Sequence, residues 1–204
     1  MGLISNGTTI FDAGALDSGL NKGALTLIKS ITASGVTSVS FMNGGNGVVF
    51  DGTYKEYLFI ITNWNPATDD KNGEFSFSVN GSNFGIAKTS TYFRLNHDES
   101  GSENSIEYRT AQDLAQSTGN QILCEQIGNG GDEHGCAMLT IYDPANTTFK
   151  KNFVGRSITM AHNNQCLGDY VAGYINTTSA VVGTKFECES GNAFDGIFTL
   201  YGIS

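Results

Sequence analysis

Two short stretches set a histidine beside carboxylates: His97-Asp98-Glu99 and Asp132-Glu133-His134. Imidazole nitrogen and carboxylate oxygen are the donors that hold a hard or borderline divalent cation. Adjacent side chains on extended backbone point opposite ways, so neither trio ligates unless its loop curls. Solvation of two acidic loops is the reading taken, and no metal is assigned. The Asp69-Asp70 turn raises the question of a Ca²⁺ site and receives the same answer.

Hydrolytic chemistry needs a paired acid and base, or a nucleophile with an oriented histidine. Serine, histidine and aspartate are all present, but no G-x-S-x-G elbow stands in a strand-turn-helix context. His162 and Cys166 are the nearest thiol-imidazole pair, four apart on an expected loop. The run Asn43-Gly44-Gly45-Asn46-Gly47 lacks the Lys-Ser/Thr ending of a phosphate-binding loop, and no helical pattern follows it. No catalytic residue and no cofactor is therefore assigned, and the expectation is a protein that is not an enzyme. Trp64, Tyr54, Tyr170 and Tyr174 have rings suited to stacking on sugar faces, with core or interface as the reading taken. The four cysteines, Cys124, Cys136, Cys166 and Cys188, show no C-x-x-C spacing and are read as free thiols.

These residues are held by strands. YKEYLFIITN, residues 54–63, is the most continuously apolar and aromatic run, with large side chains on both faces. It predicts a central strand covered on both sides and ended by the Asn63-Trp64-Asn65-Pro66 turn. LTLIKSITA and VTSVSFM read as two strands joined by a tight turn at Ser34-Gly35. EFSFSVN alternates phenylalanine and serine as a half-buried strand does. Residues 121–128 and 136–142 read as a hairpin with a long tip, and 147–161 as a strand or strand pair bulged at Gly155. Residues 96–119 form the longest interruption, with Leu114 and Ala115 on a helical turn. Roughly ten strands and almost no 3.6-residue period predict an all-β, antiparallel two-sheet β-sandwich, jelly-roll-like.

The first 21 residues fit neither period for long, their apolar side chains falling in small clusters between Gly and Asn. They read as an extended N-terminal docking arm (1–21) on a single sandwich domain (22–204), with Leu3, Ile4, Ile10 and Phe11 as docking residues. At 204 residues one sizeable core suffices. Twenty acidic against eleven basic residues give a net charge of -9, which opposes nucleic acid and anionic membrane surfaces as partners. No apolar run approaches a membrane span, and residues 1–6 lack a secretion signal, so a soluble, uncleaved chain is expected.

The stretches MGLISNGTTIFDAGALDSG, YKEYLFIITNWNPATDD, AQDLAQSTGN, GNGGDEHG, VAGYINTTSAV and GIFTLYGI together resemble a family of structural proteins of marine tailed bacteriophages, those of cyanobacteria and other abundant ocean bacteria. The resemblance runs over essentially the whole chain. Its motifs are turns and strands, so it carries over no catalytic residue. The cysteines and the Lys71-Asn72-Gly73 turn depart from the commonest pattern. What the resemblance implies is a virion component, assembled in the bacterial host cytoplasm. The first expectation is a capsid decoration (cement) or head-fibre protein bound non-covalently to the capsid lattice as a homo-oligomer, a trimer. The alternative is a tail-fibre module in which loops 96–119 and 128–135 recognise a host glycan or protein. The major capsid protein or tail proteins are the implied partners.

Overall fold

A computed structural model of the chain describes residues 3–12, 15–16 and 24–203. Beyond a single 3₁₀ turn at Glu189–Gly191, all regular structure in these residues is β-strand, and no helix is long and apolar enough to cross a membrane. The larger of two main sheets has eight strands: β4 (Leu25–Val36), β15 (Phe194–Ile203), β6 (Glu56–Pro66), β11 (Gly135–Tyr142), β12 (Lys151–Met160), β13 (Gln165–Ile175), β8 (Lys88–Asp98) and β9 (Asn104–Tyr108), in that spatial order. The smaller has four: β10 (Gln121–Ile127), β7 (Lys71–Ser78), β14 (Gly183–Cys188) and β5 (Ser38–Met42). Every pairing between these strands is antiparallel. Consecutive strands repeatedly change sheets, the jelly-roll habit within a β-sandwich. Near the N-terminus, β1 (Leu3–Ser5), β2 (Thr8–Asp12) and β3 (Ala15–Leu16) form a separate small sheet and, among the described residues, pair with one another alone.

The period-2 pattern explains how the sheets face each other. Along β12, Lys151, Phe153, Gly155, Ser157 and Thr159 are buried while the residues between them are open. The same alternation on β6, β11, β13 and β15 lines the inter-sheet space. There Trp64 is fully buried, with Phe186, Phe194 and Phe198 around it at ring separations of 5.3–6.2 Å. Edge-to-face contacts tie Phe186 and Phe41 of the small sheet to Phe59 of the large one. Trp64 and most of Tyr57 are thus core, which removes Trp64 from any sugar-stacking role.

Several expectations are corrected. β6 is central and fully covered on one face, where Tyr57, Phe59 and Ile61 are buried; on the other, cover fades along the strand, from buried Leu58 to half-buried Ile60 and exposed Thr62. It does not end at Asn63; that residue takes φ 54°, and the strand resumes through Trp64 to Pro66. β4 and β5 are not a hairpin. Gly35, at φ 61°, donates its N–H to Asp195 Oδ1 at 2.7 Å where the β15 register slips, and the chain then bends across to the small sheet. β10 and β11 likewise belong to different sheets, so 128–134 bridges the layers instead of capping a hairpin. Gly155 is no bulge, because β12 keeps unbroken register with both neighbours. Ser76 and Ser78 on β7 are as buried as Phe75 and Phe77, so that strand is covered on both faces. Residues 96–119 contain β9 and irregular turns, and Leu114-Ala115 is not helical. With β9 the two main sheets hold twelve strands, against the roughly ten expected.

Candidate functional site

Each acidic trio does curl, but onto its own backbone. At the end of β8 the Asp98 carboxylate accepts from Glu103 N and Ser102 Oγ, both at 2.8 Å, and from Ser100 Oγ. Those donors, the Ser100 hydroxyl foremost, hold its pKa well below the usual carboxylate range. Asp98 is thereby the organiser of the β8–β9 turn. Glu133 Oε2 accepts from Gly130 N at 2.8 Å in the same way. Among the described residues no three His, Cys, Asp or Glu side chains converge as cation ligands. Asp69 accepts from Asn129 N at 3.1 Å, and His162 faces Asp70 at 3.4 Å, which gives the imidazole a carboxylate neighbour other than the Cys166 thiol.

Tertiary structure nevertheless brings the two trios near each other. His97, Asp98 and Glu99 share with His134 the rim of a cavity of about 410 Å³, whose walls include Cys136, Ile158, Met160 and Cys166. Strand register makes this juxtaposition: His97 lies opposite Cys166, Cys166 opposite Met160, and Cys136 opposite Ile158. Asp132 and Glu133 instead line a polar hollow of about 630 Å³ with Asn63, Asn65 and Asp195, and His134 borders both.

The cavity is one corner of a larger feature. The side of the eight-stranded sheet that faces away from the small sheet carries Ile106 and Tyr108 on β9, Phe93 and Leu95 on β8, Tyr170 on β13, Val154 and Ile158 on β12, and Ile197 on β15, all exposed. Cross-strand pairing sets them in rows: Tyr108, Phe93, Tyr170, Arg156 and Met138 in one, Ile106, Leu95, Gly168, Ile158 and Cys136 in the next. Phe93 and Tyr170 stack with centroids 4.9 Å apart and planes 4° from parallel. A second hollow of about 400 Å³, among Ile60, Met138, Ile158, Gly168 and Tyr170, adjoins the first across Ile158. A contiguous apolar surface of this kind marks a place of association.

No family model matches the chain, and no curated protein does. A chain in the structure of infectious bursal disease virus Gt strain aligns with 96% of this chain at 10% identity and a TM-score of 0.15. The alignment takes in 47% of that viral chain, so this chain spans about half its length. A superposition that loose carries no argument.

Of the expected docking residues, Ile4 is exposed on β1. The side chains of Leu3, Ile10 and Phe11 lie outside the described residues. The sheet face was missed in the sequence, although its signal was present: β12 reads KNFVGRSITM, with apolar residues on both parities, Phe153 inward and Val154, Ile158 and Met160 outward. A second buried feature had no sequence signal at all. Arg94, Glu125 and Asp169, from three different strands, meet between the sheets at most 6% exposed. Arg94 pairs with Glu125 and lies 3.5 Å from Asp169, and Asp169 Oδ2 accepts from Glu125 N at 3.0 Å and Ser157 Oγ at 3.2 Å. Burial raises the Asp169 pKa and the Arg94 guanidinium opposes that shift. Arg109 reaches Glu125 at 3.4 Å from the partly open edge of the cluster, and the three buried members are structural.

Proposed function

We propose that the chain is a structural protein of a bacteriophage particle, a capsid decoration or head-fibre protein that works by non-covalent association. One observation carries the reading over the tail-fibre alternative: the exposed apolar surface is spread over a sheet face. Receptor-binding tips present aromatics on loops, and among the described residues Phe149 is the one large apolar side chain strongly exposed outside a strand. The acidic exterior and a core closed by two sheets suit a protein that coats a shell. The separate β1–β3 sheet with Ile4 exposed suits an appendage that docks. Capsid protein and further copies of the chain are its partners in this reading, and it performs no catalysis.

Quantitative mass spectrometry of purified particles, read against a cryo-EM map, tests this. Many copies spread over the head support decoration. A few copies confined to the tail overturn it in favour of the fibre reading, and absence from the particle overturns both.

A further inference from the structure

We propose that the outer face of the eight-stranded sheet is a self-association surface, covered by the same face of a second copy of this chain. The proposal rests on the reading that the chain acts by association, and it names one partner for the face.

Size is the first argument. Eight strands at ~4.8 Å spacing span roughly 38 Å, and some seven residues of each at ~3.3 Å make the face about 900 Å². A stable protein interface takes about 800 Å² from each partner. Charge is the second. The molecule carries -9, so two copies repel over most of their surface. The rows in the middle of this face contain no carboxylate and one cation, Arg156. Asp98 and Glu99 stand at the corner of the face, on the rim of the first cavity, and across the middle rows two copies approach without acid facing acid.

Self-complementarity is the third. A two-fold interface needs one patch to supply both halves of each contact. Ile158 projects, 59% exposed, between the two hollows that it borders, so a two-fold axis beside it seats the Ile158 of each copy in a hollow of the other. Arg156, lying across Met138 with Nη2 3.3 Å from Sδ, is a cation that desolvation would leave without a partner. The stacked Phe93–Tyr170 pair on the same face offers the ring surface on which a guanidinium rests. Two aligned sheets packed face to face are also one of the two regular ways that β-sheets bury each other.

The cysteines supply a built-in probe. Cys136 and Cys166 open onto this face, whereas Cys124 and Cys188 are in the core. Sedimentation velocity of the full chain over a range of concentrations, with N-ethylmaleimide labelling of each thiol read by mass spectrometry, is the test. The expected result is a dimer in which Cys136 and Cys166 react roughly tenfold or more slowly than in Ile158→Asp, a monomer. Val154→Asp, away from both thiols, is expected to give the same monomer with the same reactive thiols. Both positions are exposed, so the fold persists, which far-UV circular dichroism checks. A wild-type monomer at every concentration overturns the proposal. So does any oligomer whose two face thiols label at the variants' rate. Thiols that are open in solution and protected only in particles overturn self-pairing, assign the face to a capsid protein, and leave the decoration reading standing. A dimer with protected thiols that is absent from particles does the reverse.

Discussion

Lys88 opens β8 fully buried, its Nζ donating to the Ile86 carbonyl at 3.0 Å. Burial pulls its pKa down to about 8 from the ordinary 10.5. Below about pH 8 the folded and unfolded chains both carry the charge, so the cost of burying it is present in full. Between about 8 and 10.5 the unfolded chain alone keeps its proton, and wild-type stability rises with pH until that cost has gone. Lys88→Met is therefore expected to stabilise the fold at pH 7 by up to about 3 kcal/mol, less the bond to Ile86, with the gain narrowing as pH rises. Urea unfolding of both proteins at pH 7 and pH 10 measures it. The thiols behave by the same physics: burial pushes Cys188 up to about 12 and raises Cys124 as well, so neither is a nucleophile in the native protein.

At the scale of elements, β12 shows how one strand serves both faces of the large sheet. Inward, a Cβ on Gly155 would lie 2.6 Å from Leu123 Cδ1 and 2.8 Å from Val171 Cγ1, so β10 and β13 close over this position because it has no side chain. Gly155→Val is expected to cost about 3 kcal/mol by overpacking. Leu123→Ala in the same chain should return part of that, a coupling that a double-mutant cycle read by chemical denaturation detects. Outward, Val154, Arg156 and Ile158 lie at the centre of the association face, and substitutions there leave the monomer's stability almost unchanged. The contrast between adjacent positions follows from alternation alone.

For the whole molecule, association through one large face ties stability to concentration. The apparent melting temperature of the wild type is expected to rise by on the order of 2 °C for each tenfold increase in concentration. Ile158→Asp is expected to melt at one temperature throughout. Differential scanning calorimetry at two concentrations decides between these. Because the face meets its copy with few charges, added salt should strengthen the dimer by screening the acidic remainder of the two molecules.

Sequence alone determined that this is an all-β sandwich, because period-2 alternation and Gly/Asn turns are local properties that hold wherever a strand goes. It also placed most strands, from EYLFIITN to GIFTLYGI, within a few residues of their bounds. It did not determine partners in the ladder. LTLIKSITA and VTSVSFM look like a hairpin, as do 121–128 and 136–142, because adjacency in the chain is all that a sequence displays; the Gly35 bend and the 128–134 bridge send each pair to different sheets. The Arg94–Glu125–Asp169 cluster and the shared rim of His97 and His134 exist through register between strands far apart in the chain. The apolar outer face has the same origin. Its residues stand one or two to a strand in β8, β9, β12, β13 and β15, and only the lateral order of those strands, decided by long-range hydrogen bonding and burial, gathers them into one surface.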